Sequence, residues 1–331
     1  MGTLALLFLF FSLLSGLALG QSAELLNQAK KEGEVILYTT MTVGDFEHFN
    51  KAAKEKYPFL SIRHVYLSSA RQTARVMQEF RAGRVQADVL GNSPEPLLYL
   101  KQQGVLSAYK SPETVNLLKG AWDPEGYWSG MTTDLLVTGF NPRLISRSAA
   151  PKNYDDLLNP RWKDQLGMDE DESEWFAALI AIWGKDKATN FLRGLNKQAP
   201  SLRRGHTLLA QLNGAGEFAV AVNVFGYEVL IMKGQGAPIE PVLAFPVVVR
   251  PSYLAIAKHA PHPNAAKLYL DFAISAEGQQ LWANFGAPVL RSGIKLRFPE
   301  LLNNPNVRPV TLEMAKDYPE VSKLFYSIIG K

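Results

Sequence analysis

Short apolar runs rich in β-branched residues alternate along this chain with segments of helical period, and that alternation restricts the fold more than any other feature. Glu34 to Thr39 (Glu-Val-Ile-Leu-Tyr-Thr), entered through Gly33, reads as a buried strand behind a helix from Ala23 to Lys31. A helix from about Asp45 to Lys56, a strand at Ile62 to Tyr66, a helix from Ser69 to Ala82 and a strand at Ala87 to Leu90 follow. Strands separated by amphipathic helices imply parallel βαβ units and therefore an α/β fold.

A central strand at Leu135 to Phe140 leads through Asn141-Pro142 into a second α/β set. It holds Tyr154 to Leu158, a strand at Leu166 to Met168, helices from Trp175 to Trp183 and Lys185 to Leu195, a helix from His206 to Gly214 and a strand at Phe218 to Asn223. Trp175, Ala178, Leu179 and Ile182 recur at helical spacing, so core packing accounts for Trp175. A β-rich return at Val247 to Ala257 crosses back toward the first set. Asn264 to Ile274 follows as a helix, and Ser275 caps the next one. At 331 residues the chain has room for one large or two ordinary domains.

Leu4 to Leu19 is an apolar run ending in Ala18-Leu19-Gly20, the small-residue pattern that signal peptidase reads, and the cut is expected after Gly20. Met1-Gly2-Thr3 carries no Lys or Arg, unlike the usual start of such a segment. The run falls short of the ~20 apolar residues a spanning helix needs. With no cysteine, disulfides, thiolate metal sites, a cysteine nucleophile and a lipid anchor on an N-terminal Cys are excluded. A secreted, freely diffusing periplasmic protein is the simplest reading.

The net charge is +4 and the pI near 9.0, but basic and acidic residues are interleaved, so nucleic acid is not an expected partner. Neither a nucleophile elbow nor a P-loop, dinucleotide fingerprint or zinc motif occurs, so no catalysis, cofactor or metal is expected. Asp169, Glu170, Asp171, Glu172 and Glu174 resemble a cation site, yet Asp171 and Glu174 have capping-box spacing and helix capping is the expected role.

In parallel sheets the carboxyl ends of the strands carry ligand sites, because helix N-termini and free backbone N–H groups converge there. Thr39, Thr40, Ser69 and Ser93 stand at such ends as hydroxyl donors. Arg71, in the first turn of its helix, and Arg204, just before another, are guanidinium candidates for an anion. Asn223 ends a strand, and Phe225 and Tyr227 beyond it offer an aromatic wall, Tyr227 with a polar tip.

Several stretches resemble the periplasmic binding proteins of ABC importers, in the group that includes the ferric-ion-binding proteins. They are Val35 to Thr40, Ala87-Asp88-Val89, Tyr154 to Lys163, Gly216-Glu217-Phe218, Lys233 to Pro238, Ala260 to Ala266 and Ser275 to Gln279, in order over nearly the whole mature chain. The resemblance implies a type II periplasmic-binding-protein fold: two α/β lobes joined by two crossover strands, near Leu135 to Phe140 and Phe245 to Val249, closing on a ligand by a hinge. Lobe one is expected over 21–134 and 250–290, lobe two over 135–249 and 291–331. It further implies a monomer that hands a small-molecule ligand to the membrane permease of an ABC transporter.

Ferric-binding relatives hold iron with adjacent tyrosines just after the strand that here ends in Asn223, where this chain has Val224-Phe225. They also tend to carry a His after the first strand and a Glu after the third; here Thr40-Met41-Thr42 and Ser93 stand in those places. Fe(III) is a hard cation that wants several anionic oxygens. A small polar or anionic organic solute is therefore the expected cargo. The alternatives are Fe(III) held by Tyr227 and the Asp169 segment, and a ligand-binding subunit of a membrane sensor.

Overall fold

Val35, Ile36, Leu37 and Tyr38 are all buried, as befits a parallel strand covered by helices on both faces. They form β1 (Glu34–Thr39) of the computed structural model, which describes residues 23–243, 246–302, 307–309 and 317–330. Helix α1 (residues 23–32) precedes it, and α2 (Val43–Lys56), β2 (Ser61–Tyr66), α3 (Ser69–Arg81), β3 (Val89–Asn92), α4 (Pro94–Gln102) and β4 (Leu106–Ser107) follow. The long strand β5 (Ser129–Phe140) opens a second series. This consists of β6 (Leu166–Asp169), α5 (Ser173–Trp183), α6 (Lys185–Lys197), β7 (Ser201–Arg203), α7 (His206–Ala215), β8 (Val220–Phe225), α8 (Gly226–Gly234) and β9 (Glu240–Val242). A second long strand, β10 (Val247–Ala257), then leads to α9 (Pro263–Ile274), α10 (Ala276–Phe285), β11 (Val307–Pro309) and α11 (Tyr318–Ile329).

The sheet order is β2-β1-β3-β10-β5-β8-β6-β7. β1 is parallel to β2 and β3, and β6 is parallel to β7 and β8, so each end of the sheet is a parallel block. Between them β10 and β5 run antiparallel to each other, β10 pairing with β3 and β5 with β8. β10 borders one block and β5 the other, and the long ladder between them joins the blocks, which makes the architecture two α/β lobes joined by two crossovers. Their register sets Arg250 opposite Asp134 where the lobes meet.

Several boundaries differ from the sequence expectation for identifiable reasons. β3 begins at Val89 rather than Ala87 because buried Asp88 turns its carboxylate to other partners, accepting from the backbone N–H groups of Ile36 (2.8 Å) and His262 (2.6 Å). β5 starts at Ser129, six residues before the expected Leu135, since Thr132 and Thr133 are buried in the ladder despite their polarity. β8 runs to Phe225, past a register shift opposite Val137 and Gly139, with Asn223 at φ 61°. Of the second expected crossover, Phe245 lies outside the described residues, while β10 continues to Ala257. Past α10, Arg291 reaches Glu113 at 2.8 Å and the Ser292 hydroxyl donates to the Asn116 carbonyl at 3.0 Å.

The Ser275 cap forms as expected, its hydroxyl accepting from the Gly278 N–H at 3.2 Å. The export segment and its cut after Gly20 lie outside the described residues. Among the described residues no helix is long and apolar enough to cross a membrane.

Candidate functional site

The ends of β1 and β6, the starts of α3 and α7, the β8–α8 junction and the middles of β5 and β10 converge on one cleft enclosing about 900 Å³ of atom-free space, part of it open to solvent. Thr39, Thr40 and Ser69 line it from one lobe and Arg204, Phe225 and Tyr227 from the other. Ser93 lines an adjoining recess together with Thr40, Asp134, Glu174 and Arg250. Two expected residues are elsewhere. Arg71 is exposed and absent from the lining, because the first turn of α3 offers its Ser68–Ser69 edge to the cleft. Asn223 is fully buried behind the wall and reaches the site through its backbone.

The lobe-one wall is held by a buried amide and hydroxyl network. Gln72 Nε2 donates to the carbonyls of Tyr38 (2.8 Å) and Gly91 (2.9 Å), and its Oε1 accepts from Asn92 Nδ2 at 2.8 Å. Asn92 Oδ1 in turn accepts from the Ser69 hydroxyl at 2.7 Å and the Ser93 N–H at 2.8 Å. Neither Ser68, the N-cap of α3, nor Ser93, the N-cap of α4, makes a side-chain cap bond, so the first-turn N–H groups at both helix starts lack that partner. In the opposite wall the Phe225 and Tyr227 rings stack at 5.8 Å. Burial, reinforced by Glu228, drives the Tyr227 phenol well above its ordinary pKa.

Charge in the cleft comes mainly from residues the sequence reading passed over. Arg250, on β10, is the central cation: its Nη1 donates to Glu174 at 2.9 Å and its Nη2 lies 3.9 Å from Asp134. A lone Arg inside Val-Val-Val-Arg-Pro, and a lone Asp between Thr133 and Leu135, are visible signals, since a charge within a buried strand must be paired. Arg204 is half exposed and bound to Glu170 at 2.6 Å, whereas Arg203 pairs with Glu217 away from the cleft lining.

The expected capping box does not form. Glu172 is the N-cap of α5 without a side-chain cap bond, and Asp171 accepts instead from the Tyr326 hydroxyl. Glu174 is buried because this first turn faces Arg250. Burial pushes Asp169 up to about 6 and Asp134 up to about 6, the latter despite Arg250, and raises Glu172 well above the carboxylate range. His206, at the start of α7, is pushed the other way, to about 3, by burial and by the nearby Arg250, and stays neutral.

Residues 89–306 match the sequence family of bacterial extracellular solute-binding proteins. The chain belongs to that family. This extracellular solute-binding protein is 25% identical over 283 residues to an uncharacterized protein of Haemophilus influenzae, a match covering 81% of this chain and 79% of the relative. Its fold is shared with iron-bound HitA from Pseudomonas aeruginosa (TM-score 0.75, 22% identity, 89% of this chain and 99% of that one). It is shared equally with the periplasmic binding protein AfuA from Actinobacillus pleuropneumoniae, solved with fructose-6-phosphate (TM-score 0.76, 22% identity, 90% and 97%). The solute-binding protein thus has the type II periplasmic-binding fold that its sequence resemblance implied.

Proposed function

We propose that this protein is the periplasmic component of an ABC importer, exported by a segment ending at Gly20, which traps a small polar solute between its lobes and delivers it as a monomer to the membrane permease. The observation that carries the reading is the pair of opposed walls, Thr39, Thr40, Ser69 and Ser93 on one lobe and Arg204, Phe225 and Tyr227 on the other, with strands β5 and β10 running beneath them. Lobe one is read as residues 21–134 and 250–292 and lobe two as 135–249 and the C-terminal helix, so the hinge falls at the Asp134–Arg250 pair. Rotation about two adjacent strands changes few backbone angles, which is how such lobes close on a ligand.

The ligands in the two similar structures differ in sign, iron bound to HitA and exogenous fructose-6-phosphate bound to AfuA, so cargo has to be read from this chain's own wall. Asp45, Asp134, Asp169, Asp171 and Glu174 line the cleft against Arg204 and Arg250. That excess of carboxyls favours a polar solute rich in hydroxyls or bearing a positive group over an anion. Small-angle scattering and thermal shift across sugars, amines, amino acids and phosphorylated sugars test this. A matching solute raises the melting temperature and lowers the radius of gyration, and Tyr227→Ala weakens both effects. A chain whose dimensions stay constant with every bound solute overturns the closure reading.

A further inference from the structure

His206 has two differently placed ring nitrogens. Nδ1 lies 2.8 Å from the Asn223 carbonyl, which only accepts, so Nδ1 carries the hydrogen and Nε2 of the neutral ring keeps a lone pair. Facing that lone pair at 3.2 Å is Oε1 of Glu172. Glu172 is 0% exposed, and neither of its oxygens has a hydrogen-bond partner among the described residues. A lone pair and a carboxyl oxygen so close, the carboxyl buried and without another donor, are bridged either by the carboxyl's own proton or by a cation that displaces it.

Asp169 completes the group. One donor atom each from Asp169, Glu172 and His206 lie within 4.8 Å of one another, and all three residues are buried. Asp169 is steadied by the backbone, accepting from the N–H of Asp171 at 3.0 Å and of Gly205 at 2.8 Å. Gly205 sits at φ 96°, a conformation other residues adopt only with strain, which lets the loop place that N–H on the carboxylate.

We propose that Asp169, Glu172 and His206 form a site for a divalent transition-metal ion of the zinc type, with the remaining coordination positions open to the cleft. One imidazole with two carboxylates is a donor set that Zn(II) and Co(II) accept, and ligand atoms around tetrahedral zinc stand about 3.3 Å apart, close to the His206–Glu172 separation. The Asn223 carbonyl holds the imidazole as outer-shell partners do at metal sites. Arg250 Nη2 lies 3.5 Å from the same Nε2, but this one guanidinium is shared among Glu174, Asp134 and Glu172, so with Asp169 the carboxyls outnumber it and leave room for a cation. Asp169 and His206 line the cleft, so a solute or water there completes the shell; only this last step rests on the solute-capture reading.

Titrating the chelator-treated full chain with Co(II), with Zn(II) as competitor, tests the site. One Co(II) per chain is expected, with visible d–d bands of low coordination number that Zn(II) bleaches. Glu172→Gln and His206→Gln each weaken binding by more than the roughly 10–100-fold that an outer-shell change costs, while Glu170→Gln leaves it unchanged. Glu172→Gln keeps the shape of a carboxyl that burial already drives toward its neutral form, so it folds and keeps the test decisive even where His206→Gln does not. Absence of stoichiometric Co(II) and Zn(II) binding by the folded chain, or unaltered affinity in Glu172→Gln, overturns the site. A chain that compacts on an organic solute and takes up no Co(II) loses the metal site alone; one that binds Co(II) and never compacts loses the capture reading alone.

Discussion

Arg250 is the residue on which the cleft's electrostatics turn. Burial alone lowers a guanidinium pKa, yet Glu174, Asp134 and Glu172 more than offset it and raise that of Arg250 above its ordinary value. Replacing it by Met leaves Asp134, Glu172 and Glu174 together in a low-dielectric site without a cation. Breaking a buried pair in this way costs about 3–5 kcal/mol, so urea denaturation of Arg250→Met is expected to show a midpoint well below wild type at unchanged slope. Glu95 makes the opposite case. It is 0% exposed, and burial, then Glu174, push it up to about 8 against the opposing pull of its own N–H, Arg250 and the Ser93 hydroxyl. Between about pH 4.5 and pH 8 the unfolded chain releases this proton while the folded chain keeps it, so this group's contribution to stability is present at low pH and lost as pH rises. Glu95→Gln is expected to match wild type near pH 4 and to gain over it toward pH 8, by at most about 1.4 kcal/mol per pH unit. Equal pH dependence of the two melting temperatures would count against it.

At the scale of the element, the turn from β8 into α8 shows how backbone geometry sets side-chain chemistry. Asn223 occupies the left-handed region inside a strand, at the register shift against β5, and there its carbonyl meets His206 Nδ1. Asn tolerates that region and Gly prefers it, whereas a β-branched residue is strained by about 1–2 kcal/mol. Asn223→Gly is therefore expected to keep the melting temperature and Asn223→Val to lower it by several degrees, with His206 released from its tautomer in the NMR spectrum of the ring nitrogens. The same element explains part of what the sequence conceals. The helices of lobe one and β1 follow from period 3.6 and from an apolar run between turn residues, both local signals. Ser129 to Asp134 look like a loop because Ser, Thr and Asp dominate, and only their pairing with β10 makes them a strand.

For the whole molecule, the C-terminal helix ties the end of the chain to lobe two. Val321, Phe325 and Ile329 of α11 are buried, and Phe325 packs on Phe176 of α5 with ring centroids 6.1 Å apart. Deleting residues 317–331 exposes Phe176 and neighbouring apolar surface, each large buried side chain being worth about 1.5–3 kcal/mol. Hydrogen exchange of the truncated chain is expected to quicken first in α5 and α6, while β1 to β3 keep their protection. Uniform acceleration through both lobes would show instead that the lobes unfold as one unit.

Local order was open to the sequence by itself: alternation of strands and helices, the α/β class, the Ser275 cap, the hydroxyls of Thr39, Thr40, Ser69 and Ser93 near strand ends, and the aromatic pair Phe225 and Tyr227 at the β8–α8 junction. These, with Phe225 closing β8 and Tyr227 opening α8, depend on residues within one turn or one strand of each other, so periodicity and flanking turn residues suffice. The charge pattern of the cleft was decided only in three dimensions. Glu174 and Arg250 are 76 residues apart, and His206 meets Glu172 and Asp169 only because β6 and β8 pair as neighbours with α7 between them. Nothing in a linear pattern distinguishes an acid that caps its own helix from one that turns inward to a distant Arg, since the choice rests on which side chains the fold brings within about 4 Å and how far it removes them from water.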